Sequence, residues 1–301
     1  MIIDTATLIE ELKKRGLVVS NYEEFEYYVN NFNVNTFITQ YSDFFENENK
    51  TFDNVDASNI IKLYVFDKNL ANHIFRNILI IEKMMNTRVA VETINYFNIK
   101  DKCLLTLNPN ILKNSVLRNI HEVEPYTDYK TFLFKMVKYL ETNKAVRGMV
   151  DHSIRDDIMK WSNVPLDLMC LSWSFSTTFS FFISSAQELR DKIMGSFNID
   201  HNHYKGFVDF IKNVINLRNY ISHNGVIYDL PVKYKTVELN KLYQFLFKDL
   251  LNLEDFKLIH LVRMIARMSN DDKLFEKTAG FGKNLDIDEP YKSKIAKLFE
   301  L

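Results

Sequence analysis

An all-α fold is predicted for this chain by three observations. Gly occurs 7 times and Pro 5 times among 301 residues, well below the roughly 7% and 5% of average sequences, so few tight turns or glycine-dependent strands can be built. Apolar residues recur at three- and four-residue steps over long stretches, the period of a helix with one face in a core. The 24 Phe and 15 Tyr supply bulky material for that core, with the tyrosine hydroxyls kept near water or a partner.

The first helix is expected over about residues 5–15, with Leu8, Ile9 and Leu12 on one side and Gly16 as its stop. A second runs from Tyr22 to about Asn31. The polar segment NENKTFDNVDASN, residues 46–58, lacks apolar periodicity and reads as a loop. From about Ala57 to Phe97 the pattern predicts two consecutive helices, or one bent helix interrupted near Asp67. Within it Leu70, Ile74, Ile78, Ile81, Met85 and Val89 share one face and read as core. Pro109 and several Asn mark a loop over residues 104–116. Further helices are expected over about 127–142, 151–161, 166–188, 204–223 and 236–270. In the tail, AGFGKNLD at 279–286 predicts a turn before a last short helix.

The formal net charge is -1, which excludes an overall basic field that collects nucleic acid unselectively, so any RNA contact must be a local patch. Cys103 and Cys170 are too few for a disulfide framework or a four-cysteine zinc site. With no export signal in MIIDTATLIEELKKRG, a reducing cytoplasm is the expected location. The apolar run at residues 165–186 is long enough to span a membrane. Its Ser- and Thr-rich centre and Asp167 make it a buried core helix instead, and no membrane partner is expected.

The segment GFVDFIKNVINLRNYISHNGVIYDLP, residues 206–231, is the most informative. Phe207, Phe210, Ile211, Val214, Leu217 and Ile221 form an apolar helical face, and Asn224-Gly225 supplies a helix stop. Arg218, Asn219, Ser222 and His223 therefore crowd the last turn. A histidine exchanges protons near neutral pH, and an arginine fork holds two phosphate oxygens. Asn219, four residues before His223, is placed to hydrogen-bond its ring. The alternative is a capping cluster in which His223 binds last-turn carbonyls.

Other signals are weaker. His201-Asn202-His203 spells HNH without the hairpin and helix that such nucleases build around a metal. Asp156-Asp157 and Asp271-Asp272 have no further ligand at a helical step and read as helix-start or surface carboxylates. Neither a P-loop, a dinucleotide fingerprint nor a serine elbow occurs. No metal and no cofactor is expected.

Four blocks, LIEELKKRGLVV, LYVFDKNLANHIF, NVPLDLMCLSWSFSTTFSFF and LRNYISHNGVIYD, resemble in the same order those of the Abi-like (AbiD/AbiF) family of abortive-infection proteins. Arg218-Asn219 followed by His223-Asn224 resembles the RNA-cleaving motif of HEPN nucleases. The chain departs from the family pattern at Ile221-Ser222, where a small residue is common, and at Ala71, where a basic one is.

The resemblance implies an HEPN-like helical bundle over residues 57–250, with a helical extension on either side, 1–56 and 251–301. It implies a metal-independent endoribonuclease in phage defence, with Arg218 and His223 catalytic and Asn219, Ser222 and Asn224 supporting. Lys205, Lys212, Glu82 and Arg88 are the candidate RNA contacts, although Glu82 and Arg88, six residues apart, face different sides of a straight helix. RNA is the expected partner, as substrate and as a regulatory non-coding RNA. Since one Arg-His copy is a thin set for two proton transfers, a homodimer is expected. Two readings stand beside this one: a non-catalytic module that binds a structured RNA, and a helical interaction protein whose Arg218 cluster caps a helix.

Overall fold

A computed structural model describes residues 5–32, 35–96, 173–185, 187–228, 230–249, 254 and 256–299. The described residues form helices and turns, with only two isolated bridges, Val18 to Asp56 and Glu46 to Phe52. The fold is all-α. The helices are α1 (Thr5–Lys14), α2 (Tyr22–Asn31), α3 (Ala57–Tyr96), α4 (Phe175–Ser184), α5 (Gln187–Gly195), α6 (Tyr204–Ser222), α7 (Val237–Phe247), α8 (Leu258–Ser269), α9 (Asp272–Asn284) and α10 (Tyr291–Leu298). Among the described residues, none is long and apolar enough to cross a membrane. The helices expected over 127–142 and 151–161, the loop at 104–116, both cysteines and Asp156-Asp157 lie outside the described residues.

The chain groups into two compact units. The first comprises residues 1–77, 216–233 and 255–301. Its core is aromatic: the Phe37 ring meets Phe25, Tyr28 and Tyr64, and the Phe45 ring meets Tyr291. Gly16 stops α1 with φ +94, a conformation that costs a side chain dearly. The second unit comprises residues 78–215 and 234–254. There Ile78, Ile81, Met85 and Val89 of α3, Phe181 and Phe182 of α4, and Phe207, Phe210, Ile211 and Val214 of α6 are all buried, as their spacing predicts.

Four boundaries differ from expectation, each for a physical reason. Asp67 does not interrupt α3, which runs unbroken through it. The carboxylate is fully buried, but the Tyr41 hydroxyl and the Ile227 and Tyr228 N–H groups donate to it, so the buried charge is not left unpaired. Of the helix expected over 166–188, residues 166–172 lie outside the described residues, and the rest starts only at Phe175, where the Ser174 hydroxyl accepts the Thr177 N–H, and breaks after Ser184. Ser185 is extended, its hydroxyl donates to the Phe181 carbonyl and its N–H to Phe182, a side-chain competition that ends helices. The stretch 236–270 is two helices, because Lys248 adopts φ 56 and its N–H closes on the Gln244 carbonyl. Finally, the AGFGKN segment is helical rather than a turn. Leu274 and Thr278 are buried and α9 packs along α8, so packing overrides the low helix propensity of its glycines.

Candidate functional site

The last turn of α6 carries the predicted cluster, and the way the helix ends decides what the cluster can do. The Asn224 N–H donates to the Ile221 carbonyl and the Gly225 N–H to the Tyr220 carbonyl, while Asn224 sits at φ 59. These bonds are a Schellman stop, with His223 as the last half-helical residue. The Ser222 hydroxyl donates to the Asn219 carbonyl at 2.9 Å, and the His223 N–H reaches the same oxygen at 3.2 Å. Backbone and serine thus satisfy the carbonyls of Asn219, Tyr220 and Ile221. Among the described residues the exposed His223 ring has no hydrogen-bond partner, which leaves both its nitrogens for other work.

Arg218 is half-buried, and its Nη1 donates to Asn219 Oδ1 at 3.4 Å. The expected bond from Asn219 to the His223 ring is therefore replaced by one from Arg218, because the amide turns back along the helix. Five helical steps place Arg218 and His223 about 140° apart around the axis. The two side chains therefore leave the helix on different sides.

Beneath the helix end lies a pair that the spacing argument did not assign a role. Asp67 Oδ1 accepts the N–H groups of Ile227 and Tyr228, both at 2.8 Å, and Oδ2 accepts the Tyr41 hydroxyl at 2.7 Å. Burial holds the Asp67 carboxyl above the usual carboxylate range, partly countered by those three donors and by Lys68. Lys68 donates to the carbonyls of Asn224 at 3.2 Å and Gly225 at 3.4 Å, and burial pushes its pKa down against the pull of Asp67. Its cation also lies over the rings of Tyr41 and Tyr64. A cation at the last carbonyls complements the negative end of the helix. The blocks LYVFDKNLANHIF and LRNYISHNGVIYD thus meet here. The legible signal was Asp67 itself, a carboxylate in register with the core residues Leu63, Leu70 and Ile74, where an ion must have partners.

The four candidate RNA contacts, Glu82, Arg88, Lys205 and Lys212, belong to the second unit. Glu82 accepts the Phe175 N–H at 3.1 Å, which places a carboxylate at the positive end of α4. Arg88 and Lys205 are exposed. Lys212 lies 3.9 Å from Asp209 and over the Tyr234 ring. His201-Asn202-His203 forms a single 3-10 turn leading into α6, with Asp200 as its N-cap. Asp271 stands at the start of α9. Among the described residues, no group of three His, Cys, Asp or Glu side chains is gathered to hold a metal ion.

Comparison with known proteins matches residues 24–229 to the family described as Abi-like protein. That span contains Asp67, Lys68 and the whole Arg218–Asn224 cluster. No curated protein and no solved structure matches the chain.

Proposed function

The chain belongs to the Abi-like protein family, and from that premise we propose that it acts in phage defence by abortive infection, as a metal-independent endoribonuclease of the HEPN type. The observation that carries the reading is the free, exposed His223 ring at a helix end where the Asn219, Tyr220 and Ile221 carbonyls are already capped by backbone N–H groups and Ser222. A histidine needed as a cap would be spent on those carbonyls.

In the proposed reaction a base takes the proton of a 2′-hydroxyl, and the oxygen attacks the adjacent phosphorus. The bond from phosphorus to the 5′-oxygen breaks as an acid protonates that oxygen, leaving a 2′,3′-cyclic phosphate and a 5′-hydroxyl. His223 suits either proton transfer. Arg218 suits the charge that builds on the phosphorus oxygens. Two proton transfers and one histidine per copy favour a symmetric homodimer in which two α6 ends face one RNA strand. In this reading the protein works in the cytoplasm as a toxin held in check until infection, with RNA as substrate and a non-coding RNA as a candidate restraint.

The test is incubation of purified protein with total RNA in EDTA, followed by mapping of the ends. Cyclic phosphate and 5′-hydroxyl ends are expected, with His223→Ala and Arg218→Ala each slowing cleavage by about 10²- to 10⁴-fold at unchanged helical circular dichroism. Ends bearing 5′-phosphate, or full activity in His223→Ala, would refute the mechanism. RNA binding that survives both substitutions, without any cleavage by the wild type, would favour the non-catalytic RNA-binding module.

A further inference from the structure

Beside the same helix end lies an open cavity of about 400 Å³, lined by the rings of Phe44, Tyr220 and Tyr228 together with Gln40, Asp43 and Lys294. That volume is within the range of small-molecule sites. Tyr220 is 40% exposed, yet its ring is held: a Cβ added at Gly225 would stand 2.3 Å from Cε1 of Tyr220, so the ring lies directly against the glycine backbone. Tyr228 and Phe44 meet edge to face at 5.5 Å, and the Lys294 ammonium stands 4.3 Å from the Phe44 ring centre. An aromatic wall, a fixed exposed ring and a cation at the rim are the parts of a stacking platform for single-stranded nucleic acid. Tyr220 and His223 are three residues apart, so they are neighbours on the helix surface.

We propose that this cavity is a nucleobase subsite: it takes one unpaired base of the RNA strand, stacked on Tyr220, with the adjoining phosphate toward Lys294 and the scissile linkage toward His223. The inference rests on the ribonuclease reading above and adds to it a requirement for single-stranded substrate. The Asp43 carboxylate, whose Oδ1 also accepts from Lys50 at 3.3 Å, has no proton to donate and favours bases that carry an exocyclic amino group over uracil. Gln40 can donate or accept and completes the polar side of the wall.

Binding is to be measured with a six-nucleotide 2′-O-methyl RNA containing 2-aminopurine, which cannot be cut because its attacking oxygens are blocked. Quenching of the 2-aminopurine is expected on binding. Tyr220→Leu is expected to weaken binding by roughly tenfold and abolish the quenching, the loss of one base stack, whereas Tyr220→Phe retains both. Lys294→Ala is expected to weaken binding and flatten its salt dependence. If Tyr220→Leu and Lys294→Ala bind the hexamer as tightly as the wild type does, the subsite is overturned whether or not the protein cuts RNA. A Tyr220-dependent complex with RNA that is never cut would support the subsite while overturning the ribonuclease. Adenosine 5′-monophosphate that competes as well as the hexamer would overturn the assignment to a strand and give the cavity to a free nucleotide.

Discussion

Asn213 and Asp67 hold opposite ends of the segment that joins α6 to α7, each within its own unit and each by a different chemistry. Asn213 accepts the Tyr234 N–H at 3.0 Å and donates to the Tyr234 carbonyl at 3.1 Å, so one amide closes both backbone groups of one residue. Asp67 collects two successive N–H groups on one oxygen. An amide pairs with an extended backbone and buries no charge. A carboxylate suits a sharply turned backbone whose N–H groups converge, at the cost of desolvating an ion. The costlier device stands under the candidate site, where the chain must turn sharply after His223; the cheaper one stands at the entry to α7.

The largest expected effect comes from removing each device. Asp67→Ala leaves the N–H groups of Ile227 and Tyr228 and the Tyr41 hydroxyl without their acceptor. At about 1–3 kcal/mol per buried group, offset by relief of the ion's desolvation, urea unfolding is expected to register a loss of about 2–4 kcal/mol. Asn213→Ala is expected to cost about 1–2 kcal/mol, because Tyr234 is only half-buried and water can replace the amide. A greater loss at Asn213 than at Asp67 would invert the comparison.

Asp67→Asn sharpens it. The amide keeps an acceptor for the two N–H groups and removes the ion, so stability near neutral pH is expected to stay within about 1 kcal/mol of wild type. The pH dependence carries the sign. Burial raises the folded pKa of Asp67, so its contribution to stability is fully present below the unfolded carboxylate value, about 3.9, and is lost as pH rises through the folded value. Wild type minus Asp67→Asn, measured by urea unfolding at several pH values, should therefore decline from acid toward neutral pH. A difference that grows with pH would show that the ionised carboxylate is the stabilising form.

The smallest effect on stability is expected at Gly225. Its neighbour is the edge of the Tyr220 ring, which packs against the glycine but borders solvent, so an added methyl pushes the ring outward and Gly225→Ala is expected to cost less than about 1 kcal/mol. Displacing that ring should nevertheless weaken binding of the 2-aminopurine hexamer, a separation of affinity from stability that unfolding and fluorescence titration measure on one sample.

Much of this architecture was legible from period alone. The buried face of α3 from Leu70 to Val89, that of α6 from Phe207 to Leu217, and the stops at Gly16 and Asn224 are local consequences of residue type. Breaks set by backbone geometry at Ser185 and Lys248, and the survival of α9 through its glycines, were not, since polar or glycine-containing segments are compatible with either state until neighbours choose. Asp67 was misread as an interruption for the same reason: its partners Tyr41, Ile227 and Tyr228 are far off in sequence, the last 161 residues away.

By itself the sequence determined the helical class, the apolar faces, and the arrival of Arg218 and His223 together at a helix end, because each depends on steps of three to five residues along one element. Only the tertiary structure decided what that end can do. Lys68, from 156 residues earlier in the chain, holds the Asn224 carbonyl just beyond it, Asp67 directs the backbone that follows, and the His223 ring is engaged by neither. Which carbonyls are satisfied, and by whom, is a property of groups brought together by folding, and no local pattern records it.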